Sequence, residues 1–84
     1  MKYTVVWLPG AANELARIWL DASHRDEISS SAARIDSVLA LAPMDHGESR
    51  EDDVRVLFVD PLAAEYKVSE LDRIVKVCAI WTTR

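Results

Sequence analysis

Between residues 54 and 82 three β-rich runs follow one another, joined by connectors of only a few residues. Val54–Val59 is closed by Asp60-Pro61-Leu62, Ala63–Val68 by Ser69-Glu70-Leu71-Asp72-Arg73, and Ile74–Thr82 follows. Parallel neighbours need a crossover of a dozen residues or more, so these connectors predict an antiparallel meander. In the second run Ala64, Tyr66 and Val68 share one face and Glu65 and Lys67 the other. In the third, Val75, Val77, Ala79 and Trp81 alternate against Ile74, Lys76, Cys78 and Ile80. A sheet with one apolar face needs a covering layer, and only the first half of the chain can supply it.

That half opens with a short β-branched and aromatic run, residues 2–7, which predicts a strand. Leu8-Pro9-Gly10 breaks it, and Pro9 suits the first turn of a helix, where a missing N–H is no loss. Apolar residues then recur at Ala11, Leu15, Ile18, Trp19 and Ala22, one stripe of a helix over about 9–22. Arg17 and Asp21 are spaced as an i,i+4 pair. Ser23, with Asp26 three residues on, predicts a capped restart. A second stripe, Ile28, Ala32, Ile35, Leu39 and Ala42 with Val38 beside it, predicts a helix over about 26–42 that Pro43 ends. So short a joint makes the two helices an antiparallel hairpin. Residues 43–53 are polar and aperiodic, and predict an irregular loop. The expected fold is α+β, one domain over 1–84: an N-terminal strand, an antiparallel helical hairpin, then a three-stranded antiparallel meander forming one sheet with the helices on one face. The open face is expected to carry Arg55 or its neighbours, and Glu65 or Lys67.

Composition narrows the function. The chain has 84 residues, 10 Lys and Arg against 14 Asp and Glu, and is half hydrophobic, which suits one small globular domain. No apolar run approaches the ~18–20 residues of a membrane span, and the start lacks a leader pattern, so the expectation is a cytoplasmic protein. Cys78 is alone, which excludes an internal disulfide. No His, Cys or carboxylate cluster has ligand spacing, so neither metal nor cofactor is expected. The net charge of -4 speaks against a uniformly basic nucleic-acid binder.

The whole chain resembles the small toxins of the RelE/ParE superfamily from bacterial type II toxin–antitoxin systems. The resemblance rests on Tyr3-Thr4-Val5-Val6-Trp7-Leu8-Pro9 before an Ala-rich helix, and on Leu15-Ala16-Arg17-Ile18-Trp19 within it. It rests also on Gly47-Glu48-Ser49-Arg50, Arg55-Val56-Leu57-Phe58, Pro61-Leu62, Tyr66-Lys67-Val68 and Asp72-Arg73-Ile74-Val75-Lys76-Val77. It implies an antitoxin as partner, and a target that is either ribosome-bound mRNA or DNA gyrase. RelE-like members cleave messenger RNA in the ribosomal A site; ParE-like members inhibit gyrase without catalysis; other members retain the fold with no demonstrated toxicity. The resemblance is read first as RelE-like cleavage in a plasmid-stabilisation type of module, with the other two as alternatives.

Cleavage at a 2′-OH needs a base, an acid and cations that stabilise the charged transition state. Arg50 and Arg55 are the candidates for phosphate contact, Lys67 and Arg84 complete the catalytic set, and Tyr66 and His46 are candidates for substrate binding at its edge. Each also has a plain structural reading. Arg50 can pair with Glu48 or Glu51, Arg55 with Asp53, and Lys67 with an acid on the next strand, while His46 and Arg84 can be solvated. Trp7, Trp19 and Trp81 sit at core spacing, and Cys78 reads as an inert half-buried thiol. Residues 50–84 hold six basic side chains and seven acids, so a nuclease face there requires the acids to point elsewhere.

Overall fold

A computed structural model describes residues 2–51 and 53–84; Asp52, one of those seven acids, lies outside the described residues. In chain order the elements are β1 (Thr4–Trp7), α1 (Pro9–Asp21), α2 (Arg25–Leu41), β2 (Glu48–Ser49), β3 (Val54–Val59), β4 (Leu62–Ser69) and β5 (Ile74–Thr82). The five strands form one sheet in the order β1-β5-β4-β3-β2. The meander β3-β4-β5 is antiparallel, as the connectors require. β1 joins it in parallel beside β5, with Thr4 opposite Ile74 and Trp7 opposite Val77. The helical hairpin and the three strands after it all lie between β1 and β5, a connection long enough for that parallel pairing.

Pro9 occupies the first turn of α1, and no side chain caps its N-terminus. The other end is closed from outside. The Arg25 guanidinium donates to the Trp19 and Leu20 carbonyls at 3.1 and 2.9 Å and lies 4.6 Å over the Trp19 ring. Those carbonyls are the groups a helix C-terminus leaves unpaired. The Ser23 cap is not formed: His24 occupies the N-cap position of α2 and gives no side-chain cap, while Asp26 and Glu27 favour the positive helix end through charge.

The core lies between the hairpin and one face of the sheet. Ala11 and Ile18 of α1 and Ile28, Ile35 and Leu39 of α2 meet Leu57, Leu62, Ala64, Tyr66, Val75, Val77 and Ile80. Burying a large apolar side chain contributes roughly 1.5–3 kcal/mol, and this set carries most of the fold's stability. Two tryptophans expected in the core are not there. Trp19 and Trp81 are each 38% exposed, whereas Trp7 packs on the core and donates to Asp36 at 3.2 Å.

Trp81 is displaced by a bulge. Glu65 pairs with Ala79 and Tyr66 with Val77, so Cys78 is an extra residue on β5 with no partner on β4. Alternation reverses there. Val75 and Val77 point into the core before the bulge and Ile80 after it, which carries Ala79 and Trp81 to the opposite face. Strict alternation had placed Ile80 on the face away from Val77. The 43–53 segment also holds a strand that its polarity concealed: Glu48 pairs with Val56 and Ser49 with Arg55.

Candidate interaction surfaces

The strand registers set out the open face in rows. Phe58, Ala63 and Trp81 form one row across β3, β4 and β5; Glu48, Val56, Glu65 and Ala79 form the next; Val54, Lys67 and Lys76 form a third. A shallow hollow is lined by Arg50, Glu51, Val54, Val56, Phe58, Glu65 and Trp81. The face is therefore mainly apolar, with Glu65 at its centre and two lysines at one end. Lys67 and Lys76 stand directly opposite each other, and among the described residues neither makes an ion pair. Like charges in that relation destabilise a sheet, so the pair is tolerated rather than structural.

The four cations expected to gather on this face are separated. Arg50 sits at its edge and pairs with Glu48 at 3.0 Å, both well exposed. Arg55 lies on the helix side, a correction to its expected place beside the open face. Its Nη2 reaches the carbonyls of Met44, His46 and Gly47 at 3.2, 3.2 and 3.4 Å. Its Nε is buried with no partner among the described residues. Arg84 is far from Lys67, at the end of the sheet where Leu62 meets Thr82. There it donates to Glu27 of α2 at 2.9 Å and pairs with Asp60, while Thr83 donates to the other Asp60 oxygen at 3.1 Å. The Arg84 guanidinium and the Thr83 hydroxyl hold the Asp60 carboxyl below its usual value.

Tyr66 is fully buried and structural in its contacts. Its hydroxyl lies 2.7 Å from the Pro43 carbonyl and 2.9 Å from the His46 carbonyl. Burial raises the phenol pKa, against the opposing influence of the Arg55 guanidinium, so it remains a donor. His46 contributes its carbonyl to this knot, and its residue is exposed. Gly47 closes the turn at φ 77°, with room for no side chain: an added Cβ would lie 2.5 Å from the Tyr66 hydroxyl.

A strongly apolar concavity lies on the hairpin, where no site residue was expected. A groove of about 570 Å³ runs between α1 and α2, lined by Ala12, Leu15, Ala16, Trp19, Leu20, Ile28, Ser29 and Ala32. Ala12, Ala16 and Ala32 let its floor approach the helix backbones, while Leu20, 60% exposed, forms a wall. Trp19 donates to Ser29 at 3.0 Å and braces the end. The signal was in the sequence: Ala12, Ala16 and Leu20 form a second i,i+4,i+8 row beside the core stripe.

No protein-family model matches the chain, and no curated protein matches its sequence. Solved structures do match its fold. A chain of the toxin–antitoxin complex RelBE2 from Mycobacterium tuberculosis superposes with a TM-score of 0.79 at 14% identity, covering 98% of this chain and 99% of that one. A chain of the chromosomal ParDE toxin–antitoxin system from P. aeruginosa gives a TM-score of 0.72 at 16% identity, covering 98% and 97%. The chain thus has the RelE/ParE-like fold over essentially its full described length.

Proposed function

We propose that this chain is the toxin component of a type II toxin–antitoxin pair, and that it acts on its cellular target by protein contact rather than by cutting RNA. The shared fold supports a place in such a pair, since both matched structures are toxin–antitoxin systems. A fold alone does not choose an activity. The observation that carries the choice is the dispersal of Arg50, Arg55, Lys67 and Arg84: one is paired at an edge, one holds a loop on the helix side, and one ties down the chain end. Cleavage requires cations converging within hydrogen-bond reach of one phosphate. An inhibitor of DNA gyrase needs no such convergence. The largely apolar open face and the hairpin groove suit protein partners.

The antitoxin is assigned to the hairpin groove. An amphipathic helix presenting small and branched apolar residues at i, i+3/i+4 and i+7 matches a groove walled by Leu15, Trp19 and Leu20.

A second reading, ribosome-dependent mRNA cleavage, is favoured by one feature, the Lys67–Lys76 juxtaposition on the open face. Controlled expression in a bacterium, with and without any small open reading frame found adjacent to this gene, tests the toxin assignment. Growth arrest relieved by the neighbouring product supports it, and unimpaired growth without that product contradicts it.

A further inference from the structure

We infer that the free edge of β3 at Phe58 is a docking site for an extended segment of a partner protein, with an acidic side chain of that segment reaching Arg34. The inference does not depend on the toxin assignment; it rests on how the sheet edge ends.

Arg50 donates its backbone N–H to the Val54 carbonyl, so Val54, and by alternation Val56 and Phe58, turn their backbone groups toward the β2 side. Glu48 faces Val56, and β2 stops there. The residue that would face Phe58 in the same register is His46. Its carbonyl is instead held inward by Arg55 and the Tyr66 hydroxyl. The Arg55–Tyr66 clamp thereby pulls the chain off the sheet edge one residue pair too soon. Phe58 keeps a strand conformation and pairs with Ala63 on its other side, yet no described hydrogen bond reaches its outward N–H or C=O. An unpaired strand edge is a template for another chain.

The space beside that edge is open. A groove of about 380 Å³ lies between α2 and the end of β3, lined by Ser30, Ser31, Arg34, Phe58, Val59 and Asp60. Its charges are unequal in availability. Asp60 is taken by Arg84 and Thr83, and its carbonyl by the Ser31 hydroxyl at 2.9 Å. Arg34 is exposed and makes no ion pair among the described residues. The groove therefore presents a free cation and a neutralised acid. Side chains of an added strand alternate, one beside the half-exposed Phe58 ring and the next toward α2 and Arg34. The fitting segment alternates apolar and acidic residues.

The test uses isotope-labelled chain and a short end-blocked peptide of alternating valine and glutamate flanked by threonines, with a lysine-for-glutamate peptide as control. The glutamate peptide is expected to shift the Phe58 and Arg34 resonances and to slow exchange of the Phe58 amide. Arg34→Glu, a change at the surface, is expected to weaken that peptide about tenfold and to reverse the preference toward the lysine peptide. Shifts confined to other surfaces, equal binding of both peptides to the unaltered chain, or no shift at millimolar peptide would overturn the proposal. So would slow exchange at Phe58 that depends on chain concentration alone, which would assign the edge to a second copy.

Discussion

Arg55 and Tyr66 stand opposite each other on β3 and β4, and both donate to the carbonyl of His46. Through that shared acceptor the sheet fixes residues 43–47 without a helix or a long strand to hold them. Tyr66→Phe keeps the ring and removes the hydroxyl whose one proton lies between the buried Pro43 carbonyl and the part-buried His46 carbonyl. It is expected to lower unfolding free energy by about 1–3 kcal/mol in urea titration, the range for leaving a buried acceptor unpaired. Amide exchange at Gly47 should rise more than exchange in β5.

Gly47→Ala combines a left-handed φ with a clash against the same hydroxyl. Backbone strain alone predicts a loss of about 1–3 kcal/mol. In a Tyr66→Phe background the second substitution should cost less than it does alone, because the hydroxyl it meets is gone. A double-mutant cycle by thermal or urea unfolding reads the difference; strict additivity would place the clash elsewhere.

The chain end carries a pH-dependent contribution. Asp60 titrates below its usual value because Arg84, then Thr83, stabilises the carboxylate. A carboxyl depressed in the folded state contributes stability above its unfolded pKa and loses it as pH falls through the folded one. Arg84→Ala should therefore narrow the stability difference between neutral and acidic solution below the ordinary carboxylate range. The contact is exposed, so added salt should narrow it too. Urea midpoints across pH for the two chains provide the measurement.

Leu20→Asp places a charge in the wall of the hairpin groove at a position outside the core. Its expected effect on stability is within about 0.5 kcal/mol. Its expected effect on antitoxin affinity is a loss of at least about tenfold, because the carboxylate must be desolvated against an apolar helix. Calorimetric titration with the antitoxin, alongside a melting curve, separates the two.

The elements of this fold were legible where local chemistry decides them. Pro9, Pro43 and the three β-runs placed two helices and the meander within a few residues, because periodicity and breakers act locally. The features that depend on pairing were not legible. Cys78 looks like any strand residue until the register shows it unpaired, and that one insertion sends Trp81 outward and Ile80 inward. Glu48–Ser49 is strand only because β3 offers it an edge. Arg55 illustrates the limit at the site. Its spacing suited an outward cation, but three backbone carbonyls within reach hold it on the helix side. Lys67 was placed correctly on the open face, while Lys76, its cross-strand neighbour, was not singled out because register alone reveals it.

Action by protein contact and action by cleavage diverge most directly in the first minutes after expression. Cells induced for this chain, without antitoxin, can be pulse-labelled in parallel for DNA and protein synthesis, with messages mapped for new ends. Contact-based inhibition of gyrase predicts that DNA synthesis falls first while messages stay intact. Early arrest of translation with messages cut at ribosome-bound sites, abolished when Lys67 and Lys76 are replaced by glutamine, would contradict it.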